Sequence, residues 1–318
     1  MNQGVAPTPV VLPIVYRDPL AAFAPLAKMP MAVLLDSALP TPQGRASYIA
    51  ADPRRVIRAA YPFAVDPFAS VAAALGPRQP PLDLPLPFAG GAIGVFGYEL
   101  GGALEALPPP KGKMFADDMV VGIYDTVAAF DHSSQRAWVI ARGPEAAQRA
   151  QTLAERLGPA ALPAQGVPTP APWRAETPRA RHEANVRAAI GYIRAGDIFQ
   201  ANITQRFVAD TPAQLDWFGL YRRLRDRAPG PFSAFLNLGT MRVLSASLER
   251  FLTVSREGSV EARPIKGTRP RAPGAAEDAQ LARELGESAK DRAENLMIVD
   301  LLRNDMARVC EPGSIGVP

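Results

Sequence analysis

SAFLNLGTMRVLSAS, residues 233–247, holds two apolar runs, SAFLNL (233–238) and MRVLSAS (241–247), separated only by Gly239-Thr240. A two-residue connection containing glycine matches the twist of an antiparallel hairpin. Parallel neighbours would need a crossover of about a dozen residues. The stretch therefore predicts antiparallel pairing. Working outward, short strands are predicted at Met31–Leu35, Ser47–Ala50, Ala92–Tyr98 and Val120–Phe130, set apart by Pro and Gly clusters. PEAAQRAQTLAERL (144–157) reads as a helix with Leu153 and Leu157 on one face. A second helix starts with Thr177 as N-cap and Pro178 in its first turn, buries Val186, Ala189, Ile190 and Ile193, and ends at Gly196. IFQANITQRF (198–207) reads as a strand, and a last helix runs from Ser288 to about Val309. Strands joined by turns, with long helices between groups of them, give an α+β fold and not a doubly wound one. GPAALPAQGVPTPAPWRAETP (158–178) has no periodicity and reads as a linker. The expected division is 1–142, a helix and Pro/Ala-rich linker over 143–176, and 177–318.

Composition narrows the function classes. The 318 residues are 47% hydrophobic and 21% charged, ordinary for a globular chain. Net charge is only +4 and no basic stripe carries interleaved aromatics, which argues against nucleic acid as a partner. One cysteine, Cys310, forms no internal disulfide and suits a reducing cytoplasm. The N-terminus lacks the basic-then-apolar pattern of a secretory signal, and no apolar run is long enough to span a bilayer, so no membrane role is expected. Two histidines and one cysteine leave little for zinc; any metal should be hard and carboxylate-bound.

Three stretches invite chemistry. RPIKGTRPR (263–271) holds Lys266, one of five lysines (28, 111, 113, 266, 290) among 35 basic residues. Lysine can lose its proton once desolvated and arginine cannot, so Lys266 is either an amine kept for chemistry or a solvated turn residue. SLERF (247–251) places Glu249 after a strand, as a functional acid or an exposed one. KDRAENLMIVDLLRND (290–305) puts Asp291 and Glu294 three apart on one helical face, as Mg²⁺ ligands or as acids favoured by the helix dipole. Asp300, Arg303, Asn304 and Asp305 continue that polar face. GGAIGVFG (90–97) lacks the Gly-Lys-Ser/Thr ending of a phosphate loop and reads as a strand that needs close backbone approach.

In this order, SLERF, PIKGTRPR and KDRAENLMIVDLLRND resemble the chorismate-utilising enzymes, and among them the aminodeoxychorismate synthase component I branch. RAGDIFQANITQRF (194–207) is similar to that family's strand after the first helix of its chorismate-binding domain; MAVLLDS, GRASYIAADP, FAGGAIGVFGYEL and VGIYDTVAAFDH are similar to its N-terminal region. The resemblance implies an anthranilate synthase component I-like fold, antiparallel sheets in a sandwich flanked by helices, incomplete at the C-terminus. Isochorismate and salicylate synthases carry a water-activating lysine where this chain has Gln200; anthranilate synthases carry alanine where it has Lys266. The implied reaction joins chorismate and ammonia into 4-amino-4-deoxychorismate, for p-aminobenzoate and folate. Lys266 would be the nucleophile and Glu249 the general acid, kept protonated by burial; Gly267, Thr268 and Gln200 would contact substrate. Glu294 with Asp291 would hold Mg²⁺, and a glutamine amidotransferase subunit would supply ammonia.

Two departures stand out. Leu248 replaces the proline usual before the acid. The chain also stops at Pro318, before a segment that in the family supplies a histidine, a glycine-rich loop and a second metal glutamate, so this chain alone is expected to be inactive or weak. Leu34–Ser37 resembles the stretch where anthranilate synthases bind tryptophan, which makes Leu35 and Ser37 candidate effector contacts. Anthranilate or isochorismate synthesis, or a non-catalytic regulatory or relic chain, are the competing readings.

Overall fold

The computed structural model describes residues 9–39, 41–110, 117–158, 162 and 171–317. Lys111, Lys113 and most of the predicted linker lie outside them. In chain order the first elements are β1 (Val10–Ile14), α1 (Pro19–Phe23), β2 (Val33–Asp36), β3 (Ala46–Ala50), β4 (Arg55–Ala59), α2 (Pro67–Leu75), β5 (Gly91–Phe96), β6 (Met119–Tyr124), β7 (Thr126–Asp131), β8 (Arg136–Ala141) and α3 (Ala146–Arg156). There follow β9 (Arg174–Ala175), α4 (Arg179–Ala195), β10 (Phe207–Val208), α5 (Trp217–Arg227), β11 (Ser233–Asn237), β12 (Arg242–Ser245), β13 (Thr253–Val254), β14 (Val260–Glu261), α6 (Ala275–Glu287) and α7 (Ala289–Ala307). Two compact units form. The first comprises the described residues within 1–167 with 216–248 and 255–258; the second comprises those within 168–215, 249–254 and 259–318.

The first unit is layered. A seven-stranded sheet runs β1-β8-β7-β3-β2-β11-β12, antiparallel throughout, and a three-stranded sheet runs β4-β6-β5. The predicted hairpin is β11–β12, with Gly239 at φ 85° in its turn. The predicted strand over 120–130 is two strands, because at Asp125 the chain passes from the small sheet to the large one. The period of two then sorts the side chains. On β7, Ala128 and Phe130 face a core with Phe23, Leu153, Leu157, Phe218 and Tyr221 from the helical side. Val127 and Ala129 face the opposite core, shared with Val120 and Tyr124 of β6. Met119, Val121 and Ile123 of β6 point the other way, onto Val71 and Ala74 of α2. Helices, large sheet, small sheet and α2 therefore stack in four layers. Strands covered on both faces are apolar at nearly every position, and β6 and β7 are buried throughout. GGAIGVFG is strand β5 as expected: a Cβ on Gly94 would lie 2.1 Å from the Val120 carbonyl oxygen, so only glycine admits that strand approach.

One buried polar contact ties the segment after the linker to the start of the chain. The Asp36 carboxylate at the end of β2 accepts from Tyr221 Oη at 2.8 Å and from Arg225 Nε at 2.6 Å, both on α5. Asp36 is almost fully buried, so its charge depends on these donors. Nearby, Asp131 accepts a two-pronged bond from Arg45 (3.0 and 2.6 Å), together with Ser133 N–H and the Ser134 hydroxyl. Arg45 first, then these donors, hold the Asp131 carboxyl well below the usual range. His132 sits between Tyr16 Oη (2.9 Å from Nδ1) and Ser47 Oγ (2.8 Å from Nε2). Burial pushes its pKa down, against Asp36, Asp131 and Asp18, with Arg225 adding to the fall.

The second unit has two short antiparallel pairs, β9–β10 and β13–β14, and the helices α4, α6 and α7. The strand predicted over 198–207 is regular only at Phe207–Val208, the residues for which β9 supplies a partner. The helix predicted from Thr177 begins one residue later, with Pro178 as N-cap, and ends at Gly196 with φ 83°. Val186, Ala189, Ile190 and Ile193 are not buried, and none of the described side chains of α4, α6 and α7 is.

Two outcomes are expected. Tyr221→Phe removes a hydrogen bond to a buried carboxylate and lowers unfolding free energy by about 1.5–3 kcal/mol in urea titrations. Acid should destabilise in two stages. A histidine whose folded pKa is below its unfolded value takes its proton more readily when unfolded, so stability falls as pH drops through about 6.5. Asp131, depressed in the fold, adds a second loss below about pH 4. His132→Gln should erase the first stage and leave the second, read from urea midpoints across pH.

Candidate active site

The candidate residues of the second unit are organised by a loop with no regular secondary structure, residues 262–272 between β14 and α6. A loop of this kind has no ladder or helix to fix it, so side chains must do so. They are almost all arginines. Arg250, from SLERF, pairs with Glu261 on β14, and Arg263 reaches the other oxygen of the same carboxylate at 2.9 Å. Arg269 Nη2 lies 3.1 Å from Asp291 Oδ2 in the first turn of α7. Arg271 forks onto Asp278 in the first turn of α6, with both bonds at 2.7 Å, and Asp278 also accepts from Ala272 N–H at 3.1 Å. The planar guanidinium suits such two-pronged carboxylate contacts. The three motifs are thus laced together by arginine–carboxylate pairs that sequence reading did not pick out. The available signal was the density of arginine in RPIKGTRPR.

Lys266 stands in the middle of this loop, half-buried, and among the described residues it makes no salt bridge. Gly267 follows at φ 75°, the left-handed region that favours glycine. A Cβ there would meet Leu285 Cδ1 at 2.8 Å and Asp291 Cγ at 2.9 Å. The backbone beside Lys266 therefore lies against the corner between α6 and α7. Ser288 caps α7, its hydroxyl accepting from Asp291 N–H at 3.3 Å. Ser288 first, and Arg269 after it, hold the Asp291 carboxyl below the ordinary carboxylate range, against partial desolvation.

The remaining candidates lie on separate segments. Glu249 is exposed, so the burial expected to keep a general acid protonated is not seen at that residue. Gln200 is half-buried in the irregular stretch before β10, and Thr268 is exposed with its carbonyl accepting from Arg269 at 2.8 Å. Glu294 is half-buried one helical turn beyond Asp291. Among the described residues, no group of three His, Cys, Asp or Glu side chains gathers as a metal site. One oxygen of Asp291, Oδ2, lies on Arg269. Glu294 and Asp291 remain the expected anchors for Mg²⁺, an ion that commonly takes one or two protein carboxylates and completes its shell with water and substrate oxygens. Of the effector candidates, in the first unit, Leu35 is half-buried between β3 and β11. Ser37 is buried, its Oγ 2.7 Å from the Ala46 carbonyl oxygen and 3.2 Å from that of Pro231.

The chain is 36% identical to "Aminodeoxychorismate synthase component 1" of Klebsiella aerogenes, across 98% of this chain and 71% of that protein. It is 36% identical to "Anthranilate synthase component 1" of Thermus thermophilus, across 95% of this chain and 68% of that one. Among solved structures it resembles anthranilate synthase component I from Streptococcus pneumoniae with a TM-score of 0.70 and 28% identity, over 85% of this chain and 63% of that one. The α+β, anthranilate synthase component I-like fold is therefore the observed one, and the chain spans about 63% of that solved chain. No described helix is long and apolar enough to cross a membrane. With the family described as chorismate binding enzyme matching residues 35–318, this chain belongs to the chorismate-binding enzymes.

Proposed function

We propose that the chain is the chorismate-aminating component of an aminodeoxychorismate synthase. The observation that carries this is a half-buried lysine, Lys266, in a loop whose other basic residues are paired arginines, in a chain that is 36% identical to a component 1 of that enzyme. Arginine would serve every structural need of this loop; a lysine there supplies an amine that can lose its proton.

In the proposed reaction the neutral Lys266 amine adds at C2 of chorismate, the double bonds shift, and the C4 hydroxyl leaves with a proton from Glu249 as water. Ammonia then adds at C4 and expels the lysine, giving 4-amino-4-deoxychorismate. The sum is chorismate plus ammonia to product plus water. The covalent stage divides one difficult substitution into two easier ones. Because Glu249 is exposed, its acid role rests on the water that bound substrate would exclude. Gly267, Thr268 and Gln200 would contact the substrate, the glycine by allowing close backbone approach. Mg²⁺, held by Glu294, would neutralise charge on the substrate carboxylate. The ammonia would come from a glutamine amidotransferase partner: the relative's name makes it one component of a synthase, and this chain's single cysteine, Cys310, has no histidine near it in the sequence. The protein would then act in p-aminobenzoate and folate synthesis, in the cytoplasm.

Anthranilate synthesis is the second reading, favoured by the Thermus thermophilus relative. The deciding assay supplies the full-length protein with chorismate, ammonium and Mg²⁺ and separates the products. Formation of 4-amino-4-deoxychorismate, abolished in Lys266→Ala, is expected; anthranilate as the main product would overturn the proposal. Glu249→Gln should lower kcat by about 10²–10⁴-fold, the usual span for a lost general acid. Chelation with EDTA should stop turnover, and added Mg²⁺ should restore it.

A further inference from the structure

We propose that Asp291 is a positioning residue for Lys266, acting through Arg269 and Gly267. The inference rests on the reading of Lys266 as the reacting amine. Two neighbours meet at the Asp291 side chain: Arg269 Nη2, 3.1 Å from Oδ2, and the backbone of Gly267, on which a Cβ would sit 2.9 Å from Asp291 Cγ; the Asp291 N–H is bonded to the Ser288 cap of the same turn. Arg269 and Gly267 flank Thr268 and follow directly on Lys266. Asp291 therefore grips the loop on the C-terminal side of the lysine at two places at once, by charge at Arg269 and by contact at Gly267. The second anchor, Arg271 on Asp278, holds the loop's exit.

The physical need for such a grip is specific. The loop has no helical or ladder hydrogen bonds over residues 262–272, so without side-chain anchors its backbone would sample many conformations. A nucleophile must be held about 3–3.5 Å from its target and aligned with it, and a displacement of about 1 Å can cost about 100-fold in rate. Gly267 at φ 75° brings the loop close enough for the grip; a larger residue would be strained by its backbone and would collide with Leu285 and Asp291. From the sequence Asp291 is an expected metal ligand; the structure sets its Oδ2 against Arg269.

The test reads the lysine directly. In the full-length protein, amines are labelled briefly with an acylating reagent, and the extent at Lys266 relative to Lys28, an exposed lysine of the other unit, is measured by mass spectrometry. Asp291→Asn and Arg269→Gln should each shift that ratio about threefold or more and lower kcat for amination about tenfold or more, with the chorismate KM nearly unchanged. The reversed pair Arg269→Asp with Asp291→Arg should recover part of both. Gly267→Ala, which keeps every charge, should shift the ratio likewise and stands in if the Asp291 variant does not fold. An unchanged ratio in Arg269→Gln and Gly267→Ala overturns the proposal. So does an Asp291→Asn defect that extra Mg²⁺ repairs without any change in the ratio, since that marks a metal ligand. The labelling needs no chorismate: a shifted ratio in a protein that makes no aminodeoxychorismate keeps the positioning role and removes the nucleophile reading instead.

Discussion

The hydrogen bonds from Tyr221 and Arg225 to the buried Asp36 carboxylate, together with the pairing of β11 on β2, hold the first unit together across the sequence. They join residues 185 and more positions apart, so the loop entropy of closing the chain has to be met by what they bring with them. What they bring is the completion of the large sheet: β11 and β12 extend it, and α5 adds Phe218 and Tyr221 to the core beside Phe23 and Phe235. A carboxylate at that point also restricts the partner. An apolar helix could cover the same face, but only one with donors at the right turn satisfies Asp36.

Charge pairs do different work in the two units. In the first, two of them have buried carboxylates, Asp36 and Asp131, and these fix which strand or turn lies where. In the second they sit on partly exposed loops and helices, and exposed pairs contribute little to stability individually. Their number on one short loop is what counts there. Arg250 and Arg263 share Glu261, Arg269 takes Asp291 and Arg271 takes Asp278, so a segment with no backbone ladder still has a defined path. The arginines serve geometry, and Lys266 is left outside the pairing.

Much of this was legible before any coordinates. The hairpin at 233–247, the helix start near Ser288, the Gly196 stop and the shared face of Leu153 and Leu157 follow from local rules, because turn chemistry and helix periodicity involve residues a few positions apart. Other expectations changed for physical reasons. IFQANITQRF has a strand's composition, but a strand exists only where another supplies hydrogen bonds, and β9 supplies them for two residues. The run at 120–130 divides because its two halves belong to different sheets. Glu249 was expected in a buried setting and is exposed, since burial depends on neighbours that spacing does not specify.

The sequence by itself determined the fold class, the hairpin at 233–247, the buried face of α3, and the presence of a lone lysine among arginines at the site. These rest on period, on turn geometry and on residue chemistry, all carried by nearest neighbours in the chain. Only the tertiary structure decided that β11 lies beside β2, that residues 216–248 join the first unit, and that Asp291 faces Arg269 and Gly267. Period two tells a residue which side of a sheet it occupies and not which strand lies next to it; an arginine likewise fits any well-placed carboxylate. Those choices are made by long-range packing, where many distant residues act together.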